Sequence, residues 1–247
     1  MKTNKLVKMA VLVTLLATAA MTRADVTVGT FSGSAIGNGL DLQGSFVYAL
    51  TMNSSAVGTI LDDTRFTDAR NTQGVTVASE VYIQDWYHSS YTGSPNDIAL
   101  GSVMKSISSS FANGQPDSQV FTMTMAGLTI GQSYKAQFLF AEVCCDRGFN
   151  FYHSGEKLAS NFSPYALTGN RAYNSGESAV LIDTFTATSD AVVFGFGGSA
   201  NHSDNNPILN AATLETMTPP VPEPETYTLL LAGLSALGLV SRRRKSE

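Results

Sequence analysis

The segment SYKAQFLFA at residues 133–141 indicates the fold, because apolar and polar side chains alternate along it. The residues at positions 134, 136, 138 and 140 are Tyr, Ala, Phe and Phe, whereas Lys135 and Gln137 lie between them. Successive side chains of a strand point to opposite faces of the sheet. The segment therefore predicts a strand that lies with one face against a hydrophobic core.

Further short segments rich in Val, Thr, Phe and Tyr follow one another between Gly, Asn, Ser and Asp residues. They predict strands at residues 26–31, 45–52, 75–83, 120–125, 148–152, 180–188, 191–197 and 212–217. Many short strands separated by turn residues are typical of a sandwich or barrel. The sequence thus predicts a mainly β fold, a single antiparallel β-sandwich or jelly roll over residues 25–217.

One helix is predicted at residues 95–111. Ser94 can cap it, Pro95 suits its first position, and Asp97 lies near its positive end. The apolar residues that would form its buried stripe are Leu100, Met104, Ile107 and Phe111.

The charges of the chain are unevenly distributed. Charged residues make up 14% of the 247 residues and the net charge is −5, but basic residues concentrate at both ends. The body between them carries about −10 and has no basic cluster. Binding to the phosphates of DNA or RNA requires such a cluster, so nucleic-acid partners are not expected.

The N-terminus has the features of a secretory signal peptide. A basic start (residues 1–8) precedes an apolar run (9–20) and a small-residue exit that ends at Ala24. We expect a signal helix over residues 1–24 that is used by the Sec translocon and by signal peptidase, with cleavage after Ala24, or alternatively after Ala19 or Ala20.

The C-terminus combines three further features. Residues 218–226 are rich in proline, which indicates a stiff linker. The uncharged residues 227–240 predict a membrane helix of about 21 Å, which is shorter than the hydrocarbon layer. The basic tail at residues 241–247 would then stay in the cytoplasm, so the chain would be anchored transiently in the inner membrane.

This arrangement resembles the PEP-CTERM sorting signal of Gram-negative bacteria. The residues that carry the resemblance are Val221, Pro222, Glu223, Pro224, Thr226, Gly233, Leu234, Arg242, Arg243 and Arg244. Glu225 is a departure, because the family usually has Ser or Ala there. The resemblance implies recognition and cutting by an exosortase, a membrane cysteine transpeptidase, and a product associated with exopolysaccharide, biofilm or floc. In such a system this chain is the substrate of the sorting enzyme.

A second resemblance lies in the body. The segments at residues 127–134, 137–140, 147–151 and 205–211 look like those of galactose-binding-like or malectin-like sandwiches. Such modules often bind sugars through loops at one end or through a concave sheet face, although a fold does not by itself determine function.

Cys144 and Cys145 are adjacent, and no other cysteine is present. In an oxidising compartment they can form a disulfide with each other, remain as thiols, or bond to other chains. The zinc and disulfide-exchange spacings are absent, so no metal is expected.

An aromatic cluster and the residues beside the cysteines are the candidate ligand-binding groups: Trp86, Tyr87, Tyr91 and Arg147. The aromatic rings could stack on sugars or could pack in the core.

Other polar groups favour ordinary structural roles. His88, His153 and His202 are interpreted as solvated loop residues, because no nucleophile-elbow motif accompanies them. The Asp-rich segments at 62–68 and 204–206 could bind Ca²⁺, but Asp and Asn are also typical of turns.

We therefore expect an exported, non-enzymatic surface or matrix protein that needs no cofactor and binds exopolysaccharide. One alternative is a secreted polysaccharide hydrolase with paired carboxylates. The other is a structural matrix protein that binds copies of itself through an open strand edge or an apolar patch.

Overall fold

The structure is a computed structural model that describes residues 25–35, 38–61, 64–78, 80–86, 91, 93–110, 118–142, 144–169 and 176–217. The predicted signal helix, linker, membrane helix and basic tail lie outside these residues. In the part described, no helix has the length and apolar character needed to cross a membrane.

Strands dominate the described residues, which confirms the mainly β fold class. In chain order they are β1 (Asp25–Phe31), β2 (Ser45–Thr51), β3 (Ile60–Leu61), β4 (Thr64–Arg65), β5 (Thr67–Asp68), β6 (Val75–Ala78), β7 (Val81–Ile83), β8 (Ile107–Ser109), β9 (Gln119–Ala126), β10 (Ser133–Phe140), β11 (Phe149–His153), β12 (Glu156–Phe162), β13 (Ser178–Thr186), β14 (Ala191–Gly198), β15 (Ile208–Leu209) and β16 (Ala211–Thr216). The helices are α1 (Pro95–Val103) and α2 (Pro164–Leu167), with a 3-10 turn at Ser54–Ala56.

Two sheets form the sandwich. The larger has the strand order β1-β13-β10-β16-β2-β5, and the smaller has the order β12-β11-β14-β9-β6. The larger sheet is antiparallel except for its last pair, where β5 lies parallel to β2. Two smaller sheets, β15-β8-β7 and β3-β4, complete the fold.

Aromatic side chains fill the space between the two main sheets. The Phe138 ring of β10 lies 4.8 Å from that of Phe194 on β14, and the Phe140 ring lies 4.8 Å from that of Phe162 on β12 (centroid to centroid). Tyr134 and Ala136 are buried in the same core, so the alternation predicted for β10 is confirmed. Burial of these aromatic surfaces is the main stabilising contribution of the sandwich.

The outer face of the larger sheet is also covered in part. Helix α1 and the chain around Leu40 and Phe66 bury Leu139 and Val180 in a second hydrophobic core. Gln137 is therefore buried, although it lies on the face opposite to Phe138. Its side-chain oxygen accepts a hydrogen bond from the backbone N–H of Asp41, 3.2 Å away.

The predicted helix starts correctly but ends early. Ser94 caps the helix and Pro95 occupies its first turn, as predicted, and the structure adds a reciprocal capping box between Ser94 and Asp97. The helix stops at Val103, and Ile107 belongs to β8, where it pairs with Ile83. Phe111 lies outside the described residues.

Two strand predictions also need correction. The segment 75–83 is two strands in different sheets, because β6 pairs with β9 whereas β7 pairs with β8. Strand β12 was not predicted, because its sequence EKLASNF lacks a regular apolar alternation. It lies at the edge of the smaller sheet, where one of its sides pairs with β11.

Candidate functional site

Arg147 lies at the centre of a buried network and is 4% exposed. Its Nε donates to Glu142 Oε2 at 2.7 Å, its second terminal nitrogen lies 2.9 Å from Asp204 Oδ2, and its first donates to the Asn206 carbonyl at 2.7 Å. A buried guanidinium requires such partners to offset its loss of hydration. Arg147 therefore joins the loop after β10 to the loop before β15, and its charge is used inside the protein.

Cys144 and Cys145 are joined by a disulfide in the structure. Cys144 is exposed, and its backbone N–H donates to Glu142 Oε1 at 3.1 Å. The same carboxylate thus holds the start of the disulfide loop and the side chain of Arg147.

Trp86 lies against this network and is half-buried. Its indole Nε1 donates to the Ala141 carbonyl at 3.2 Å, and the guanidinium carbon of Arg147 lies 5.6 Å from its ring centroid. The ring packs against both hydrophobic cores, so it contributes to packing as well as to the surface. Tyr87 and His88 lie outside the described residues.

Tyr91 packs in the core, which is one of the two roles that the sequence left open for the candidate aromatic residues. It is 6% exposed, its ring is stacked on that of Phe31 at 6.3 Å, and its hydroxyl donates to Ser178 Oγ at 2.7 Å. It belongs to the core beneath α1. The structure thus brings Trp86 to Arg147, whereas Tyr91 is part of the hydrophobic core against which Trp86 also packs.

Carboxylates of the two oxygen-rich segments accept hydrogen bonds from nearby side chains and backbone, whereas the buried Asn205 Oδ1 has no hydrogen-bond partner among the described residues. Asp68 accepts hydrogen bonds from the Arg70 side chain at 3.1 Å and from Asn71 Nδ2 at 2.8 Å. Asp204 accepts from the Asn206 backbone at 2.9 Å as well as from Arg147. Positions 62 and 63 lie outside the described residues. These bonds agree with the turn interpretation.

Two histidines are bound to carboxylates. His202 Nδ1 lies 2.9 Å from Asp146 Oδ1, and its ring packs over Gly148, where a side chain would collide with it. His153 is not a solvated loop residue, contrary to the sequence interpretation. It lies in β11 with Nδ1 2.7 Å from Asp183 Oδ2, because the neighbouring sheet supplies this buried carboxylate.

A cleft of about 630 Å³ opens along the edge of β2, and we call it the edge cleft. It exists because β5 pairs with β2 only at Leu50 and Thr51. Its lining includes Gln43, Phe46, Tyr48, Thr64, Arg65 and Thr67.

The lining of the edge cleft includes an aromatic ring and a cation. Phe46 is half-buried and, among the described residues, belongs to neither hydrophobic core. Arg65 is exposed and forms no ion pair with an acidic side chain of the described chain. Sequence reasoning missed both residues, because a lone Phe in a strand and a lone Arg carry no distinctive motif.

A second cleft of about 530 Å³ lies between the edge strands β1 and β12, and we call it the side cleft. Its lining is mainly apolar and includes Val28, which is 49% exposed, and Leu167, which is 37% exposed. Asn161 and His202 contribute polar groups at one side.

Comparison with protein families identifies the C-terminal segment. Residues 220–245 match the PEP-CTERM protein-sorting motif. The chain carries this sorting signal. The PEP-CTERM match contains the Pro222–Pro224 element and the three arginines on which the resemblance was based. The motif indicates an exported protein with a C-terminal anchor and implies an exosortase as the processing partner.

Comparison with solved structures concerns the body of the chain. The plant receptor-like kinase FER matches with a TM-score of 0.51 at 13% identity, over 71% of this chain and 50% of that one. The plant receptor-like kinase ANX1 matches with 0.50 at 13%, over 77% and 54%. The complex of plant peptide RALF23 with FER and LLG2 matches with 0.50 at 14%, over 71% and 49%.

These likenesses concern the fold and are consistent with a malectin-like β-sandwich. The chain spans about half the length of these structures. No curated protein matches the sequence.

Proposed function

We propose that this protein is a non-catalytic, polysaccharide-binding component of the exopolysaccharide matrix of a Gram-negative bacterium. In this proposal it is exported by the Sec translocon, anchored transiently in the inner membrane, and processed by an exosortase. The observation that carries the binding proposal is the edge cleft, whose lining includes an aromatic ring, a cation and polar side chains.

The chemistry of the edge cleft suits a sugar chain. The half-buried Phe46 ring provides an apolar surface for the C–H face of a sugar. Gln43 and Arg65 supply hydrogen-bonding groups, and the planar guanidinium can contact two oxygens at once. Polar groups that converge beside an apolar ring are a common feature of ligand sites.

The loop cluster around Trp86 fits this role less well. Arg147 is committed to Glu142 and Asp204, and the indole N–H is committed to Ala141. The same network does not support the hydrolase alternative, because the carboxylates of Glu142 and Asp204 are both engaged with the buried guanidinium of Arg147. We therefore place binding in the edge cleft and propose no catalytic step.

Glycan-array binding of the exosortase-processed product tests this proposal. Phe46→Ala should weaken binding about tenfold, which corresponds to about 1.4 kcal/mol. Trp86→Ala is the comparison variant, and circular dichroism checks that it stays folded, because the ring packs against both hydrophobic cores; its binding should be unchanged. A flat array for the native product would refute polysaccharide binding, and loss of binding in folded Trp86→Ala alone would move the site to the loop cluster. Release of reducing ends from a bound polysaccharide would favour the hydrolase.

The side cleft favours a second candidate function, self-association within the matrix. The two edge strands that border it are places where another chain can add to a sheet, and Val28 is an exposed apolar residue there. Val28→Lys should lower the apparent mass in light scattering if copies associate through this cleft. Val57→Lys is a matched control, because Val57 is 53% exposed and lies outside both clefts. Equal masses for the native protein and both variants would exclude this interface.

A further inference from the structure

We propose that in the uncut chain the proline-rich linker at residues 218–226 lies in the edge cleft, along the open edge of β2. The linker carries the Pro-Glu-Pro element of the sorting signal. The body would therefore hold the region that the exosortase cuts against its own surface, and the linker would fill the cleft until processing.

The first argument is where the described chain ends. Thr216, the last residue of β16, pairs with Ser45, the first residue of β2. Met217 follows, and its backbone N–H donates to the Ser133 carbonyl at 2.9 Å. Residue 218 therefore follows a strand that is the direct neighbour of β2, at an inter-strand spacing of about 4.8 Å. Nine residues in an extended polyproline conformation span about 28 Å, which is enough to cross the end of β2 and follow the cleft.

The second argument is the open strand edge. On the side away from β16, β2 pairs with β5 at Leu50 and Thr51 alone, so in the described chain no strand is hydrogen-bonded to this side of β2 at its start. Val47 lines the cleft and is 37% exposed. An extended segment can lie along such an edge without displacing an existing strand.

The third argument is the match between proline and aromatic surfaces. The linker has prolines at positions 219, 220, 222 and 224. Phe46 and Tyr48 line the cleft, and the Tyr48 hydroxyl donates to the Ala126 carbonyl at 2.7 Å, which fixes the position of its ring. Proline-rich segments dock in aromatic-lined grooves because their conformation is largely preformed and little entropy is lost.

The fourth argument is charge. Arg65 is exposed in the cleft and lacks an acidic partner in the described part of the chain. The linker carries Glu223 and Glu225, and both lie within reach once the linker follows the cleft. The pairing would neutralise the cation that the edge cleft otherwise offers to a ligand.

Photo-crosslinking of the uncut full chain in detergent tests the inference. A benzophenone amino acid at position 47 should give an intramolecular adduct to residues 218–226, identified by peptide mass mapping. The same group at position 57 is the control, because Val57 is exposed but lies outside the cleft. Adducts between copies, or equal linker adducts from both positions, would overturn the inference.

Charge reversal gives a second measurement that needs no unnatural residue. A glutamate-specific protease should cut the Glu225–Thr226 bond about tenfold faster in Arg65→Glu than in the native chain, since the docked linker is protected. Glu223→Arg added to Arg65→Glu should restore slow cutting. Equal rates in all three chains would overturn the inference. Both measurements are made without sugar, so their outcome is independent of polysaccharide binding.

Discussion

The imidazole of His153 and the carboxylate of Asp183 connect the two sheets of the sandwich, with Nδ1 2.7 Å from Oδ2. His153 belongs to the smaller sheet, whereas Asp183 belongs to the larger and is fully buried. The other Asp183 oxygen has no hydrogen-bond partner among the described residues. A buried carboxylate with a single partner depends strongly on that partner.

We therefore expect His153→Ala to destabilise the protein by about 3 kcal/mol, because it leaves a buried acid unpaired. Urea unfolding of the processed product measures the change. The double variant His153→Leu with Asp183→Leu should recover most of the loss, since it removes both polar groups. If His153→Ala and the native protein have the same urea unfolding midpoint, the contact contributes nothing to stability.

Arg147→Met should lower the free energy of unfolding more than the loss of an exposed arginine does. It leaves Glu142 and Asp204 facing one another without their shared cation, and we expect a cost of about 3–5 kcal/mol. Arg65→Met is the matched control, and its expected change is within about 0.5 kcal/mol because Arg65 is exposed. Similar unfolding midpoints for the two variants would show that the loop network is not needed for folding.

Asp97→Asn should destabilise the start of α1 in a pH-dependent way. Hydrogen bonds from Ser34 and Ser94 lower the pKa of Asp97 below its ordinary value, against the opposing effect of burial. A lowered folded-state pKa means that the carboxylate stabilises the protein above the unfolded pKa of about 3.9, and that this contribution disappears as the pH falls through the folded value. The variant should lose about 1 kcal/mol at neutral pH and approach the native protein at acidic pH.

Thermal unfolding at a series of pH values checks the Asp97 prediction. Asp190→Asn is the control, because Asp190 is exposed. A constant difference between Asp97→Asn and the native protein down to strongly acidic pH would contradict the role of the ionised carboxylate.

Replacing Arg242, Arg243 and Arg244 with Ala should prevent normal processing, because the basic cluster would hold the end of the membrane helix in the cytoplasm. Intact-mass analysis should find a product that retains its tail. Lys245→Ala alone is the control and should be processed normally. An unchanged mass and location for the triple variant would contradict the role assigned to the sorting signal.

Features that depend only on a short stretch of consecutive residues could be predicted from the sequence. The capping box at Ser94 needs four consecutive residues, and the alternation of β10 needs eight, so both could be found without the rest of the fold. The end of α1 could not, because the spacing of Ile107 also fits a helix and the residue is recruited into β8 by its pairing with β7 and β15.

The candidate ligand residues were harder to predict for the same reason. Whether Tyr91 faces solvent depends on Phe31 and Ser178, which are distant in sequence. Whether the Arg147 side chain is free to bind a ligand likewise depends on Asp204, which forms its second ion pair. The edge cleft exists because β5 is short, and no local pattern in the sequence indicates the length of this strand.

The sequence by itself determined the sorting motif, the strand-rich character of the body and the start of its helix, because each is a property of neighbouring residues. The tertiary structure alone decided which polar and aromatic groups are buried and where a cleft remains, because burial and pairing depend on segments that meet only when the two sheets pack together.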